Sequence, residues 1–240
     1  MVAPLNQDEL AIVEPLVAHY VANQSLVSNF FKSMLVYFEE SSDLKKFAHS
    51  IRSRMKDADH LRDKLGRKLR SAKEKGTDFE ITTDNLFVKV NDLAGIRILH
   101  LHTTQMEDIN NCIQAIIAEQ AVKLIEGPSA RTWDDEYRSY FRKIGIDTQD
   151  SENMYTSVHY VVASNSRTTV TCEIQVRTLM EEVWGEVDHS INYPHKSESV
   201  PCREQIRALA RSTSSATRLV DAIFATVADI EKTKKAAQEK

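Results

Sequence analysis

Glycine, proline and cysteine are scarce in this chain. Its 240 residues include 6 glycines, 5 prolines and 3 cysteines, and so few chain-bending residues indicate long regular elements. Cys112, Cys172 and Cys202 lie far apart and show no C-x-x-C spacing. The spacing therefore predicts neither a zinc site nor a disulfide framework, and it suits a reducing cytoplasm.

Several segments and motifs with known roles are also missing. No apolar run approaches the roughly 18 residues that a membrane span needs, and the N-terminus lacks the basic-then-apolar pattern of a signal peptide. We therefore predict a soluble, cytoplasmic protein without a membrane partner. The chain contains no G-x-x-x-x-G-K-[ST], G-x-S-x-G or H-E-x-x-H, and no G-x-G-x-x-G precedes a helix. P-loop, serine-hydrolase, zinc-protease and dinucleotide chemistry are therefore not expected.

The chain is acidic overall but contains one basic segment. Its net charge is −4, so general attraction to nucleic acid is not expected. Residues 52–75 nevertheless hold ten Lys or Arg against four Asp or Glu, a local balance of +6. Such a segment either holds a polyanion or forms a solvated helix face, and composition alone leaves both interpretations open.

Apolar periodicity predicts helices at both ends of the chain and strands between them. Spacings of three and four residues indicate helices over 8–48, 49–73, 106–121 and 204–230, with another beginning near residue 178. Segments rich in Val, Ile and Thr predict strands over 86–90, 96–101, 157–163 and 168–176, and 127–154 is expected to be irregular. The pattern predicts an α+β (mixed α/β) fold, with a central mixed β-sheet flanked by helices.

The predicted organisation has three parts. Residues 1–48 form an N-terminal helical extension, 49–200 form the core, and 201–240 form a C-terminal helix. The Lys-rich end of that helix, over 232–240, is expected to fray.

A ridge of cations is predicted on the helix over 49–73. Lys56, His60, Lys64 and Lys68 recur every four residues on a face distinct from the leucine stripe, and Arg54 and Arg67 lie beside them. Each cation in such a row can meet a different phosphate oxygen of a triphosphate. A solvated surface helix gives the same spacing.

Two acidic residues are predicted at defined positions beside or within strands. Asp92 lies in a turn where a carboxylate can ligate Mg²⁺ while Gly95 lets the backbone bend closely; an Asx-type turn is the structural alternative. In the strand over 170–177, alternation places Glu173, Gln175 and Arg177 on the face opposite the apolar residues. An ordinary solvent-facing strand alternates in the same way.

An aromatic residue precedes the predicted strand over 157–163. Tyr155 lies just outside this strand, where its ring can stack on a nucleobase, and Ser157 and His159 project to one side of it. A core-packing tyrosine and a satisfied surface histidine are the structural alternatives.

Taken in this order, the four elements resemble the synthetase domain of the RelA/SpoT family, particularly its stand-alone small alarmone synthetases. The basic segment SRMKDADHLRDKLGRK resembles R-x-K-x-x-x-S-x-x-x-K, and DLAGIRI is similar to D-x-x-G-x-R. YTSVHY resembles G-Y-x-S-x-H, and CEIQVRTLMEEVWGEVDH resembles E-[IV]-Q-[IV]-R-T followed by W-x-x-x-x-H. The resemblance covers about residues 20–230 and implies the nucleotidyltransferase-like fold of these synthetases.

The resemblance also implies an activity and a role for each matching residue. The activity is transfer of the β,γ-pyrophosphate of ATP to the 3′-hydroxyl of GDP or GTP, with Mg²⁺ as cofactor and a homo-oligomer, such as a tetramer, as the assembly. By position, Asp92 and Glu173 would be catalytic and bind the metal. The residues implied for ATP are Arg54, Lys56, Lys64 and Arg97, with Arg67 or Lys68 nearby, and those for the acceptor are Tyr155, His159, Gln175 and Arg177.

The chain departs from the family pattern mostly on the acceptor side. His60 replaces a serine, Met154 replaces a glycine, and the D-Y-I-x-x-P-K run before the tyrosine is not recognisable. Arg142 and Lys143 are the nearest candidates for its positive charge. Two alternative functions therefore stay open: a pyrophosphokinase with another acceptor, namely an adenosine nucleotide or the 3′ end of tRNA, and an inactive nucleotide-binding module.

Overall fold

The computed structural model describes residues 4–151, 153–192 and 197–238. Within these ranges the chain forms nine α-helices and six β-strands. In chain order they are α1 Gln7–Ala22, α2 Gln24–Glu40, α3 Leu44–Phe47, β1 Ser50–Met55, α4 Ala58–Lys75, α5 Leu86–Lys89, β2 Ala94–His100, α6 Met106–Glu119, β3 Lys123–Thr132, α7 Asp135–Lys143, β4 Asp147–Asp150, β5 Ser157–Ala163, β6 Thr171–Thr178, α8 Leu179–Asn192 and α9 Val200–Gln238.

The six strands form one mixed sheet in the order β1-β2-β6-β5-β3-β4. β2 runs parallel to β6 and β3 parallel to β4, and the other neighbours are antiparallel. In β6 the apolar residues Cys172, Ile174 and Val176 are buried, whereas the alternate residues Glu173, Gln175 and Arg177 are partly exposed. The predicted mixed sheet with flanking helices is therefore confirmed, and so is the alternation along its central strand.

One apolar core joins the N-terminal helices to the sheet. Tyr20 of α1, Phe38 of α2, Leu61 of α4 and Ile98 of β2 are almost fully buried in the same cluster. Burying a large apolar side chain contributes about 1.5–3 kcal/mol. The Tyr20 hydroxyl also donates to the backbone carbonyl of Lys56 at 2.5 Å. These contacts fix the sheet edge that carries the basic segment.

The helix predicted over 49–73 is wrong in its first part. Ser50–Met55 is strand β1, which pairs with β2 so that Arg52 lies opposite Arg97. Helix α4 begins only at Ala58, because Asp57 caps it and accepts a hydrogen bond from the backbone N–H of His60 at 2.8 Å. Edge pairing with β2 therefore overrides the helical spacing of the apolar residues in this segment.

Two further predictions are corrected. Leu86–Val90, predicted as a strand, contains the short helix α5, whose Leu86 and Phe87 are buried against the core. Residues 127–154, expected to be irregular, contain most of β3 together with α7 and β4. The sequence pattern did not reveal β3, because register shifts around Glu126 interrupt its pairing with β5 and break the alternation of residues along the strand.

Helix α9 is the longest element, with 39 residues. It packs on α8 through Ile206 and Ala210, which contact Trp184, and the Trp184 indole N–H donates to the Ile206 carbonyl at 3.1 Å. The helix continues to Gln238, whereas the sequence predicted fraying from residue 232. Among the described residues, none of the helices combines the length and the apolar content needed to cross a bilayer.

Candidate active site

A cavity of about 1050 Å³ opens on one face of the sheet, between α4 and α8. Pockets for single drug-sized ligands usually measure about 300–1,000 Å³, so this cavity has room for more than one such ligand. It brings together nine residues that the sequence singled out: Arg54, Lys64, Asp92, Arg97, Tyr155, His159, Glu173, Gln175 and Arg177. Lys56 does not line the cavity, but it contacts one of these residues, Asp92.

We call the part of the site formed by Arg54, Lys56, Lys64, Lys68 and Asp92 the cationic half. Lys64 Nζ lies 2.6 Å from Asp92 Oδ1, and Lys56 Nζ lies 3.2 Å from Asp92 Oδ2. Burial alone would raise the pKa of Asp92, but the two ammonium groups outweigh it and hold the pKa below its usual value. Burial lowers the pKa of Lys68, and the neighbouring charge of Lys64 lowers it further. This half therefore holds more positive than negative charge.

The predicted four-residue ridge is only partly present in the cationic half. Lys64 and Lys68 line the cavity from α4. Lys56 precedes the helix, and the His60 ring contacts Asp57 outside the cavity lining. The ridge is shorter than predicted because α4 starts later than its periodicity suggested.

We call the part formed by Arg131, Tyr155, His159, Glu173 and Gln175 the aromatic half. His159 of β5 lies directly opposite Gln175 of β6, so their side chains share one face of the sheet with Glu173. His159 Nδ1 lies 3.1 Å from Glu173 Oε1, and Gln175 Nε2 donates to Glu173 Oε2 at 3.1 Å. Each carboxylate oxygen is therefore held by a neighbouring side chain.

The partners of Glu173 form a longer chain of polar contacts. Ser157 Oγ lies 2.6 Å from His159 Nε2, which fixes the imidazole on the side away from the carboxylate. Burial alone would raise the pKa of Glu173, but contact with His159 outweighs it and keeps the pKa below its usual value. Glu173 is therefore ionised at neutral pH.

Tyr155 is held at the mouth of the aromatic half. Its ring lies nearly parallel to that of Trp184, with centroids 6.4 Å apart and an interplanar angle of 18°. Arg131 Nη1 donates to the Tyr155 hydroxyl at 3.2 Å. Met154, in the place where the family pattern has glycine, adopts a positive φ of 60°, a region in which non-glycine residues are uncommon.

Arg97 and Arg177 line the cavity from neighbouring parallel strands. Arg97 Nη1 lies 2.8 Å from Glu182 Oε1, and Arg177 Nε lies 3.0 Å from Glu182 Oε2. Burial and the charge of Arg97 lower the pKa of Arg177 to about 10, against the opposing effect of Glu182. Arg177 therefore stays positively charged near neutral pH.

The structure corrects the expected source of positive charge near Tyr155. Arg142 and Lys143 are on α7 and do not line the cavity, and Arg142 Nε donates instead to Thr148 Oγ1 at 3.1 Å. The cation found there is Arg131 of β3. Ser129 and Arg131 both line the cavity, as expected for alternate residues of one strand. This alternation could have identified Arg131 from the sequence, but Gly127 and Pro128 just before it are not typical of a strand.

The residues present suit a divalent metal held jointly with a ligand. Among the described residues, no group of three or more His, Cys, Asp or Glu side chains could hold a metal ion alone. Asp92 and Glu173 both line the cavity, and Glu173 pairs in register with Gly95, three positions beyond Asp92. The charge of Asp92 also raises the pKa of Glu173, although other partners outweigh it. Mg²⁺ is typically held by one or two carboxylates together with substrate phosphates, so this pair fits Mg²⁺.

The chain is thus a mixed α/β protein with a large, charged cavity on one face of its sheet, and comparison with known proteins gives its family. The family described as "Region found in RelA / SpoT proteins" matches residues 53–198. The chain therefore belongs to the RelA/SpoT family. The match spans the cavity-lining segments from Ser53 to His189.

Individual relatives extend this comparison. The chain is 27% identical over 135 residues to GTP pyrophosphokinase YjbM of Bacillus subtilis (strain 168), covering 54% of each protein, so it spans about half the length of this curated relative. The crystal structure of small alarmone synthetase 1 from Bacillus subtilis matches with a TM-score of 0.53 and 19% identity, covering 90% of this chain and 97% of the other. The structure of that synthetase bound to its product pppGpp matches at 0.51 and 18%, covering 89% and 97%. At these identities the structural matches establish the fold.

Proposed function

We propose that this chain is an ATP-dependent pyrophosphokinase, cytoplasmic and Mg²⁺-dependent, that transfers the β,γ-pyrophosphate of ATP to the 3′-hydroxyl of GDP or GTP. One observation carries the proposal: the cationic half and the aromatic half meet in one cavity at two carboxylates, Asp92 and Glu173. The names of its relatives support it, since YjbM is a GTP pyrophosphokinase and the Bacillus synthetase was crystallised with its product pppGpp.

The two substrates are assigned to the two halves by their chemistry. The triphosphate of ATP suits Arg54, Lys64 and Arg97, because cations on separate elements can contact different phosphate oxygens. Lys56 does not line the cavity and acts indirectly, because its ammonium group pairs with Asp92 and holds that carboxylate in place. The acceptor base suits the ring of Tyr155, since stacking on an aromatic ring tolerates any base. His159, Gln175 and Arg177 complete the acceptor side.

The proposed reaction is an in-line displacement at the β-phosphorus of ATP. The acceptor 3′-oxygen forms a bond to this phosphorus, the bond from the phosphorus to the oxygen bridging the α-phosphate breaks, and AMP leaves with that oxygen. Glu173 is ionised and accepts the proton of the 3′-hydroxyl. Catalysis of such a transfer depends mainly on positioning and electrostatic stabilisation.

Asp92 and Glu173 would hold Mg²⁺ together with the phosphates of ATP. When bound, the ion neutralises charge on the transferring group. The chain's own cations act in the same direction: Lys64 and Arg97 stabilise the negative charge that develops on the phosphate oxygens.

The test is an acceptor panel. Purified protein is incubated with ATP labelled at the γ-phosphate and, separately, with GDP, GTP, ADP or tRNA. We expect label to appear in GDP or GTP with stoichiometric release of AMP. Release of AMP without labelling of any guanosine nucleotide would overturn the proposal.

A second candidate acceptor has a specific observation in its favour. Met154 and the missing D-Y-I-x-x-P-K run alter the loop that carries Tyr155, whereas Arg54, Lys64 and Asp92 all line the cavity. The alternative acceptors are an adenosine nucleotide and the 3′ end of tRNA, and label in ADP or tRNA alone would establish them. Binding of ATP without AMP formation on any acceptor would instead establish an inactive nucleotide-binding module.

We also propose that the chain forms a homo-oligomer. Leu219, Ile223, Val227 and Ile230 recur on one face of α9 and are each about half exposed or more, and a continuous apolar stripe of this kind suits burial against another helix. Light scattering of the wild type and of I223E with V227E is the test. A mass above one subunit that falls in the double variant is expected, and a monomeric wild type contradicts the proposal.

A further inference from the structure

Three arginines form a row across neighbouring strands at one side of the cavity. Arg52 of β1 lies directly opposite Arg97 of β2. Arg177 of β6 pairs in register with Leu99, two positions beyond Arg97 on the same strand. All three side chains line the cavity. Like charges brought this close repel one another, so a row of guanidinium groups keeps its spacing only if a negative charge holds it.

One buried carboxylate contacts the whole row. Glu182 lies in the first turn of α8 and is 4% exposed. Its Oε1 lies 2.8 Å from Arg97 Nη1 and 3.3 Å from Arg52 Nη1, and its Oε2 lies 3.0 Å from Arg177 Nε. The carboxylate therefore contacts all three members of the row.

Glu182 reaches the cavity only through these arginines. It is not among the residues that line the cavity, although Arg52, Arg97 and Arg177 are. Glu186, one helical turn later, differs from Glu182: it also contacts Arg97, at 3.0 Å, but it is exposed, lines the cavity itself and contacts no second arginine of the row. Glu182 and Glu186 therefore differ in burial and in the number of guanidinium groups that they contact.

The packing of α8 is adapted to the same row. Gly185 lies against Arg177, and a Cβ atom at this position would come within 2.4 Å of Arg177 Nη1. The absence of a side chain thus leaves the space that the guanidinium occupies. Glu182 thus contacts Arg177 at Nε, and Gly185 leaves room for Nη1 of the same guanidinium group.

We propose that Glu182 is a positioning residue that holds Arg97 and Arg177 at the spacing in which they meet the bound nucleotides. The proposal rests on the proposed function for its kinetic consequences. Removing the charge while keeping the shape, as in Glu182→Gln, lets the guanidinium groups move apart, and misplacement of binding groups by about 1 Å can cost on the order of 10²-fold in rate.

The first experiment compares E182Q with the control E204Q in steady-state assays with ATP and the best acceptor. Glu204 also pairs with an arginine, Arg207, but neither residue lines the cavity. E182Q is expected to lower kcat/KM by about 10- to 100-fold, whereas E204Q keeps most of the activity. E182D retains the charge and is expected to recover part of the loss, which also covers the case in which E182Q does not fold. Equal effects of E182Q and E204Q, or an E182D variant as impaired as E182Q, would overturn the proposal.

A double-mutant cycle separates positioning from a general structural role. If Glu182 acts through Arg97, the additional loss caused by E182Q becomes small in a protein that already carries R97A. A residue that merely stabilises α8 would lower activity by the same factor in both backgrounds. Additive losses would therefore count against the proposal.

A binding measurement keeps this test separate from that of the proposed function. Calorimetry with a non-hydrolysable ATP analogue requires no turnover, so it applies even if the acceptor panel shows no transfer. We expect E182Q to bind the analogue at least several-fold more weakly than the wild type, and E204Q to bind it about as tightly as the wild type. Wild-type affinity in E182Q would overturn the positioning role and leave the proposed function untouched.

Discussion

The cationic half and the aromatic half of the cavity hold their side chains by different forces. In the cationic half, Asp92 lies between the ammonium groups of Lys56 and Lys64, so charge pairing sets the geometry. In the aromatic half, Glu173 is held by His159 and Gln175 through directed hydrogen bonds. The first arrangement tolerates small movements, because Coulomb attraction changes gradually with distance. The second does not, because hydrogen bonds weaken steeply when they are misaligned.

This difference predicts that substitutions in the two halves impair the binding of different substrates. Loss of a cation in the cationic half should weaken binding of the triphosphate and reduce the dependence of that binding on salt, because fewer screened charge contacts are left. Loss of a ring or of a hydrogen bond in the aromatic half should affect the acceptor alone. The following variants test whether the two halves are separable in this way.

The largest effect is expected at Glu173, where the halves meet. Glu173→Gln keeps the shape of the side chain but removes the proton acceptor and one metal ligand, and loss of one such contact commonly costs on the order of 10²–10³ in rate. The measurement is AMP formation from ATP in the presence of the acceptor. Glu126→Gln, a change in another glutamate of the cavity wall, is the control and is expected to keep most of the activity. Normal turnover by folded E173Q would contradict the assignment.

The next effect is expected at Tyr155. Tyr155→Ala removes a stacking surface worth about 1–3 kcal/mol per base, which corresponds to a rise of about 5- to 150-fold in the acceptor KM. The KM for ATP should change little. Tyr155→Phe keeps the ring and loses only the hydroxyl that accepts from Arg131, so it should resemble the wild type more closely. Equal rises in both KM values would show that the halves are not separable.

An effect of similar size, but on the other substrate, is expected at Lys64. Lys64→Ala removes a charged contact, and hydrogen bonds to charged groups contribute about 1.5–3 kcal/mol, so the KM for ATP should rise at least about tenfold. Lys73→Ala, an exposed position on the same helix, is the matched control. If K64A raised the acceptor KM as much as the KM for ATP, the assignment of this half to ATP would be wrong.

The smallest effect on activity is expected at Glu181, which acts on stability instead. Its Oε2 accepts from the backbone N–H of Thr156 at 3.0 Å, next to Tyr155. Burial raises the pKa of Glu181 from 4.5 to about 7. Because the folded state holds the proton more tightly, the associated stabilisation is fully present below pH 4.5 and is lost as pH rises through about 7. Over the whole titration, this contribution to the free energy of unfolding amounts to about 3 kcal/mol.

Thermal unfolding between pH 5 and pH 8 measures this contribution. The wild type should lose stability over this range relative to Glu181→Gln, which has no titrating proton at this position. The control is Glu80→Gln, a change in an exposed glutamate that pairs with Lys89 at the surface. A difference between wild type and E181Q that does not vary with pH would contradict the expected titration.

Local patterns predicted which polar residues line the cavity better than they predicted the elements that carry them. The alternation from Glu173 to Arg177 was correct, because a central strand is buried on one face along its length. Asp92 was placed correctly beside β2, since a short polar turn before an apolar strand is a local feature. Arg52 was assigned to a helix, although it lies on an edge strand. Arg131 was missed because the bulges in β3 break the alternation that identifies strands.

The sequence by itself determined the mixed α/β class, the central strand and the identity of most polar residues in the cavity, because these depend on residue type and on spacings of two to four positions. Only the tertiary structure decided that Ser50–Met55 is a strand, that Arg131 joins Tyr155, and that Glu182 lies beneath three arginines. The physical reason is that these contacts join residues far apart in the chain. These contacts stabilise the protein only when strands pair and helices pack, so the local sequence pattern does not predict them.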